Sequence, residues 1–409
     1  MNILFVHQNF PGQYRHLAPA LAAHKGNRVL ALRVGEDQSW LGVRVLGYQP
    51  KPDASVKTHP WLIDLHTKLI RAEAAARRAW ALKQEGFDPD IIIAHPGWGE
   101  SLLLREIWPK ARIGLYCEFF YNPHGADVGF DPEFPPKGDA LDDAGRLRLK
   151  NANQLLAFED AHCGLSPTEW QRSTYPTRLH DRISVIHDGI DTELLRPDPS
   201  VSMNLNRQLR LTRQDEIITF VNRNLEPYRG YHVFMRALPE LLRRRPKARV
   251  ILVGGDGVSY GAAAPKGKTW RNIFLDEVRD QIDTKRVHFV GKLAYRDFVQ
   301  MLQLSRVHVY LTYPFVLSWS LLESMSVGAA IVASNTAPVC EVITENQTGM
   351  LTDFFNQQDL IDRVCDLLDS PEHAAGLGKA ARELAVSRYD LKRICLPAQL
   401  RWVGQLAGG

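Results

Sequence analysis

Val307-His308-Val309-Tyr310-Leu311, a short loop, and then Pro314-Phe315-Val316-Leu317-Ser318-Trp319-Ser320-Leu321-Leu322-Glu323-Ser324-Met325-Ser326-Val327-Gly328 read as an apolar strand feeding an uncharged helix. That helix carries a single carboxylate, Glu323, in its first turns. At the carboxyl end of a parallel strand such a loop and helix form the usual ligand crevice of an α/β sheet, and the amides that open the helix favour an anion. The stretch therefore predicts both a parallel sheet and a binding site at its edge.

The same alternation recurs in both directions. Short runs rich in β-branched residues alternate with longer segments of helical period, the pattern of a doubly wound parallel sheet, and the pattern occurs twice. Strands are expected near 2–6, 28–33, 90–94, 111–116, 163–166 and 183–186, and again near 217–221, 249–253, 287–290, 307–311 and 330–333. Between the halves, Arg196-Pro197-Asp198-Pro199-Ser200-Val201-Ser202 holds two prolines that remove donors and favour extended backbone, which makes it the hinge candidate. The expected domains are 1–195 and 196–389. Beyond 355 the chain reads as helix to its end, with 390–409 expected to pack back on the first domain.

Composition bounds the function. The 409 residues are too many for one ordinary core and suit two domains. Fifty Lys and Arg stand against 46 Asp and Glu, and a net charge of +4 over this length is too weak to argue for nucleic acid. Five scattered cysteines, Cys117, Cys163, Cys340, Cys365 and Cys395, have no metal-like spacing and read as small buried hydrophobes in a reducing compartment. A strand opens the chain with no basic apolar leader, and no window reaches the ~18 apolar residues of a membrane span. The expected setting is cytoplasmic, with any membrane contact peripheral. Arg71-Ala72-Glu73-Ala74-Ala75-Ala76-Arg77-Arg78 reads as a solvated helix face, and Arg243-Arg244-Arg245 as cations complementing a helix carboxyl end.

The second half opens with strand Ile217-Ile218-Thr219-Phe220-Val221 running into Asn222-Arg223-Asn224-Leu225-Glu226-Pro227-Tyr228-Arg229-Gly230. Two guanidiniums thus stand on one loop at a sheet's carboxyl edge. A planar fork of donors suits phosphate oxygens, and each charge-assisted bond is worth about 1.5–3 kcal/mol, so a diphosphate is the natural guest. The structural alternative is a pair of surface arginines bonded to Glu226 and helix carbonyls.

Here the chain resembles the retaining glycosyltransferases of family 4, which have the GT-B fold: two Rossmann-like, doubly wound domains facing across a cleft. Their second domain carries strand, Arg, five residues, Lys, Gly, and Arg223 and Arg229-Gly230 occupy those places. It later carries Glu, seven residues, Glu, a small-residue run and Gly, of which Glu323 to Gly328 matches the second half. Val253-Gly254-Gly255-Asp256-Gly257, Val290-Gly291-Lys292-Leu293 and Ile186-His187-Asp188-Gly189-Ile190-Asp191 are similar too, and Phe10-Pro11-Gly12-Gln13 follows the first strand as in the family. The resemblance is strong over about 180–350 and weaker before it. It implies that Arg223 and Arg229 hold the donor's diphosphate, that Glu323 accepts from the nucleotide ribose, that Gly291, Lys292 and Leu293 lie near the base, and that Gly12 and Gln13 lie near the donor.

Two positions depart from the family. Its first glutamate falls at Phe315, so the acid expected to meet the transferred sugar is absent, although the backbone amides of Val316, Leu317 and Ser318 remain available to sugar or phosphate. The family's histidine after a strand of the first domain is replaced by Glu118. That residue reads either as a carboxylate meeting the donor sugar or an acceptor hydroxyl, or as a cap or ion-pair partner.

His95, at a strand end before Gly97 and Gly99, suits phosphate binding or proton transfer, or else an imidazole bonded to a nearby carbonyl. His7 reads as structural. Gly12, lacking a Cβ, lets its loop approach a phosphate. The long turn-rich loop with Tyr121, His124 and Asp127 is assigned to acceptor recognition, and 257–270 is an insertion whose Trp270 and Arg271 border the donor.

The expected activity is transfer of a sugar from a nucleotide diphosphate sugar to a glycan, lipid-linked or other acceptor, with anomeric retention and polysaccharide biosynthesis as settings that the resemblance implies. Arg223, Arg229, Glu118 and His95 are the catalytic candidates; no metal or other cofactor is expected. The same architecture hosts nucleotide-sugar epimerases and glycogen-phosphorylase-like enzymes, and a noncatalytic nucleotide-sugar-binding partner of another transferase is the alternative of a different class.

Overall fold

A computed structural model describes residues 1–52, 55–136, 138–205 and 209–408. The chain divides into two compact units, 1–189 with 392–409 and 190–391. Each is a parallel sheet wound with helices on both faces.

The first unit holds eight strands: β1 (Asn2–Val6), β2 (Arg28–Val34), β3 (Gln38–Trp40), β4 (Val43–Tyr48), β5 (Ile91–Ala94), β6 (Arg112–Tyr116), β7 (Cys163–Ser166) and β8 (Ile183–Val185). Their order is β3-β4-β2-β1-β5-β6-β7-β8, parallel except for the β3–β4 edge pair. Strand alternation explains the two-sided core. In β1, Leu4 and Val6 enter one apolar cluster while Ile3 and Phe5 enter the other, and each such side chain contributes roughly 1.5–3 kcal/mol of burial. The helix Leu396–Gly408 completes the second face through Trp402, Val403 and Leu406. A Cβ at Gly114 on β6 would lie 2.6 Å from the Trp402 ring, so this glycine admits the returning helix.

The second unit begins with a hairpin, β9 (Ser202–Asn204) and β10 (Arg210–Thr212), beside a six-stranded parallel sheet. Its strands are β11 (Ile217–Asn224), β12 (Arg249–Gly255), β13 (Val287–Gly291), β14 (Val307–Tyr310), β15 (Ala330–Ser334) and β16 (Met350–Thr352), ordered β13-β12-β11-β14-β15-β16. The backbone pairs where the chain enters and leaves: the Ile190 amide donates to the Tyr389 carbonyl and the Leu391 amide to the Ile190 carbonyl (2.7 and 2.9 Å). The proline-bearing segment 196–202 lies inside this unit, with the Arg196 carbonyl accepting from Gln303 Nε2 (2.7 Å), so the hinge expected there is part of a packed body.

Three helices cover 357–369, 371–389 and 396–408, joined by a wider turn at Leu391–Cys395, in keeping with the helical reading beyond 355. Arg243, Arg244 and Arg245 end the helix Tyr231–Arg244 and pair with Glu240, Asp362, and Glu216 and Asp369. In the helix Ile63–Gln84 Glu73 and Arg77 face solvent, while Ala72, Ala75 and Ala79 are core, so only part of the alanine-rich segment is a solvated face.

Strand β11 runs three residues beyond the expected 217–221, through a register shift between Val221 and Asn224, so Arg223 stands on the strand end and not in a loop. A single turn of 3-10 helix, Pro227–Arg229, follows, closed by Gly230 at φ +67°. A Cβ at Gly230 would sit 2.4 Å from Leu311 Cβ at the end of β14. Both the left-handed backbone and the close approach demand glycine. Gly230→Ala is expected to destabilise the second unit by about 2–4 kcal/mol, measured by urea unfolding; a loss under about 0.5 kcal/mol would contradict this packing.

Candidate functional site

At the carboxyl ends of β1, β5 and β6 the first unit gathers His7, Gln13, His95 and Glu118. The donors around them fix the hydrogens. His7 Nδ1 accepts from the Asn9 amide (3.0 Å), so Nε2 carries the proton and donates to Gln13 Oε1 (2.7 Å). Gln13 Nε2 is thereby turned to donate to Glu118 Oε1 (2.6 Å). His95 Nδ1 accepts from the Gly97 amide (3.1 Å), leaving Nε2 to donate to Glu118 Oε2 (3.3 Å). Trp98 stacks on His95 (4.1 Å between ring centroids) and Gln171 Nε2 donates to the Glu118 carbonyl (2.7 Å).

The Glu118 side chain retains 31 % of its exposure, enough for its carboxylate to meet a solute. Burial opposes its ionisation, but the hydrogen bonds from His95 and Gln13 hold its pKa below the usual carboxylate value. It is an anion at neutral pH, suited to accepting hydrogen bonds and stabilising positive charge. His7 is buried, and that burial, with His95 adjacent, lowers its pKa to about 3. Gly12 (φ +47°) is explained differently from the expectation: a Cβ there would meet the His7 ring at 2.4 Å, so the glycine is required by His7 whatever ligand approaches.

In the second unit the two motif arginines diverge. Arg223 is exposed and makes no hydrogen bond or ion pair among the described residues. Arg229 is 4 % exposed. Its Nη1 is shared among Thr312 Oγ1 (2.7 Å), the Val316 carbonyl (3.0 Å) and the Tyr310 hydroxyl (3.2 Å), and the guanidinium lies 5.0 and 5.9 Å from the Tyr260 and Phe315 ring centroids. Burial works against its charge, yet Tyr310, Tyr260 and Glu226 raise its pKa above the ordinary arginine value. Glu226, fully buried, accepts through Oε2 from the amides of Ser259, Tyr260 and Gly261 (3.3–3.4 Å), which pins the 257–262 loop and holds Tyr260 over Arg229.

The loop before the helix Trp319–Ser326 corrects two expectations. Phe315 is buried, edge-on to Tyr228 (5.4 Å) and 5.0 Å from Tyr260; its side chain belongs to an aromatic cluster and offers no acceptor to a ligand. The Ser318 amide, expected to be open to sugar or phosphate, donates to the Tyr310 hydroxyl (2.9 Å), while Ser318 Oγ caps the helix through the Ser320 amide. The Val316 and Leu317 amides have no partner among the described residues. Glu323, 9 % exposed, accepts from the Tyr295 hydroxyl (2.9 Å).

Gly291 ends β13 at φ +63°, Lys292 is exposed with its stem over Gly255 (3.1 Å from a Cβ built there), and Leu293 packs on the core. Of the acceptor candidates, His124 is exposed and Asp127 is buried, while Tyr121 exchanges backbone bonds with the Asn151 amide group and lies under Lys150 Nζ (3.9 Å). Trp270 donates to the Ala262 carbonyl, and Arg271 lies over the Phe289 ring. Gln171, Trp98, Tyr310, Thr312 and Tyr260 escaped sequence reasoning as site-forming groups; only Tyr310 and Thr312, polar at and just beyond the carboxyl end of β14, bore a readable signal. No group of three or more His, Cys, Asp or Glu is placed to hold a metal among the described residues.

Two doubly wound, essentially parallel sheets in successive units are the architecture of the GT-B class. Family models agree over most of the chain: "Glycosyl transferase family 4 group" matches residues 25–195 and "Glycosyl transferases group 1" residues 203–384. The chain belongs to this family of sugar-transferring enzymes. It is similar to D-inositol 3-phosphate glycosyltransferase of Corynebacterium efficiens (28 % identical over 322 residues, 74 % of this chain and 68 % of the relative). It also resembles the GDP-mannose-dependent alpha-(1-6)-phosphatidylinositol monomannoside mannosyltransferase of Mycobacterium tuberculosis (22 % identical, 95 % and 94 % covered). Among solved structures it shares the fold of sucrose-phosphate synthase from Thermosynechococcus elongatus (TM-score 0.75, 17 % identity, 100 % of both chains) and of Anabaena HepE in complex with UDP and glucose (TM-score 0.68, 18 % identity, 99 % and 100 %). No helix among the described residues is long and apolar enough to cross a membrane.

Buried imidazoles give a pH dependence with a definite sign. Burial lowers His7 to about 3 and His187 to about 4 in the first unit, and His308 to about 3 in the second. Each stays neutral in the fold while the unfolded chain takes a proton below pH ~6.5, so the stability is fully present above that pH and is lost as pH falls toward 3–4. The expected loss is about 1.4 kcal/mol per pH unit per histidine. Urea unfolding followed at pH 7 and pH 5 should show both units weaker at pH 5; a flat profile would show that these imidazoles are solvated.

Proposed function

We propose that this enzyme transfers a sugar from a nucleoside diphosphate sugar, held by the second unit, to a hydroxyl of a glycan or lipid-linked acceptor, with the anomeric configuration retained. The observation that carries the reading is the set of groups left uncommitted at the carboxyl edge of the second sheet: the Arg223 guanidinium and the Val316 and Leu317 amides. Together with the Glu323 carboxylate on the following helix, they complement two phosphates and a ribose diol. A carboxylate accepts from two vicinal hydroxyls at once, and amides with a guanidinium stabilise the charge that gathers on a leaving diphosphate. HepE is solved in complex with UDP and glucose and the mycobacterial relative is GDP-mannose-dependent, which supports a nucleoside diphosphate sugar of either base. The relatives' named acceptors, an inositol phosphate and a phosphatidylinositol mannoside, support a hydroxyl as the nucleophile.

Glu118 supplies negative charge in the first unit. Ionised and held by Gln13 and His95, it acts as an acceptor for a sugar or acceptor hydroxyl. Its lowered pKa makes it a weak base.

The test is turnover of the purified chain with UDP- and GDP-sugars, followed by release of nucleoside diphosphate and by proton NMR of the product anomer. Retention is expected, and an inverted product would contradict the mechanism. Arg223→Gln should lower kcat/KM by about 100-fold or more. Glu118→Gln, which keeps the size and loses the charge, should lower kcat by about 100-fold with KM little changed. Near-normal rates in either variant would remove the corresponding role.

A further inference from the structure

Building on the donor reading above, we infer that Arg229 is a positioning residue, which orients the loop amides toward the diphosphate of the nucleoside diphosphate sugar and does not itself bind that diphosphate.

Gly230, jammed against Leu311, delivers Arg229 beneath the end of β14. There one nitrogen, Nη1, serves three acceptors spread along 310–316: the Tyr310 hydroxyl, Thr312 Oγ1 and the Val316 carbonyl. The Tyr310 hydroxyl in turn accepts from the Ser318 amide. One buried cation therefore holds the loop at its start, its middle and the residue before its helix.

The consequence follows from peptide planarity. In a trans peptide the carbonyl and the next N–H point in opposite directions. With the Val316 carbonyl drawn to the guanidinium, the Leu317 N–H is turned directly away from Arg229. That amide and the Val316 amide are the ones left without partners among the described residues, whereas Ser318's is taken. The cation and the Leu317 amide thus lie at opposite edges of one peptide plane. A phosphate on the Leu317 amide is separated from Arg229 by the loop backbone. Arg223, exposed and uncommitted, is the guanidinium with the freedom to reach it.

Thr312 and Tyr310 make the experiment, because both touch Arg229 and neither belongs to the amide edge. The unsubstituted full chain, Thr312→Val, Thr312→Ser and Tyr310→Phe are titrated calorimetrically with UDP and GDP, each against its own nucleoside, alongside thermal melts. Thr312→Val and Tyr310→Phe should each weaken the nucleoside diphosphate by about tenfold while uridine or guanosine binding changes by less than about twofold, a discrimination that general loosening of the fold would not produce. Thr312→Ser, which restores the hydroxyl, should return the diphosphate affinity to within about twofold. If Thr312→Val fails to fold, Tyr310→Phe carries the same comparison. The inference is overturned if both Thr312→Val and Tyr310→Phe bind the diphosphate as the unsubstituted chain does. Should the unsubstituted chain bind neither UDP nor GDP more tightly than the nucleosides, the donor reading itself fails and takes the inference with it.

Discussion

The bond between the buried Arg229 guanidinium and the Val316 carbonyl is the constraint on which the second unit's candidate site depends. A cation taken out of water costs several kcal/mol unless its donors are satisfied, and here the satisfying groups are hydroxyls and a backbone carbonyl from the β14 loop. Among the described residues no carboxylate lies within ion-pair distance of it, although Glu226 is close enough to favour its charge. The loop therefore cannot relax without stranding the guanidinium, and the guanidinium cannot move without releasing the loop. Such mutual commitment is what preorganisation of backbone amides requires, since they stabilise charge only when they need not reorient.

The first unit solves the complementary problem with an anion. Glu118 is oriented by a chain in which His7 sets Gln13 and Gln13 sets the carboxylate, with His95 as a second donor. Each histidine's tautomer is fixed by a neighbouring amide, so the chain has one direction and ends on an ionised oxygen pair. His7, buried and neutral, contributes by its position, which is why Gly12 must leave it room. His7 is structural, as its sequence context suggests, and it is also the first link in orienting Glu118.

Most of the fold was legible because parallel strands buried on both faces are near-continuous apolar runs, and all eleven expected strands are present. The missed ones, β3, β4, β9, β10 and β16, are edge or hairpin strands, of three residues in every case but β4, with polar residues interspersed. They carry little periodicity of their own and are recruited by their neighbours. Candidate residues stood out in the sequence where identity alone suggests a chemistry, as for Glu118 and Arg223. They were illegible where direction decides it. Nothing in Arg-Gly tells that the guanidinium turns inward; that follows from a left-handed Gly230 meeting Leu311, a contact 81 residues apart in sequence. Likewise the loss of an acid at Phe315 is plain in the sequence, but its absorption into a cluster with Tyr228 and Tyr260 depends on Glu226 pinning a distant insertion.

The central claim is that a diphosphate is bound by loop amides aimed by a buried cation. It is tested most directly by selective 15N labelling of leucine and valine and titration of the full chain with UDP or GDP against the parent nucleoside. The account predicts that the Leu317 and Val316 amide protons move strongly downfield with the nucleoside diphosphate and scarcely at all with the nucleoside. Saturation by the diphosphate with both amides unmoved would contradict it.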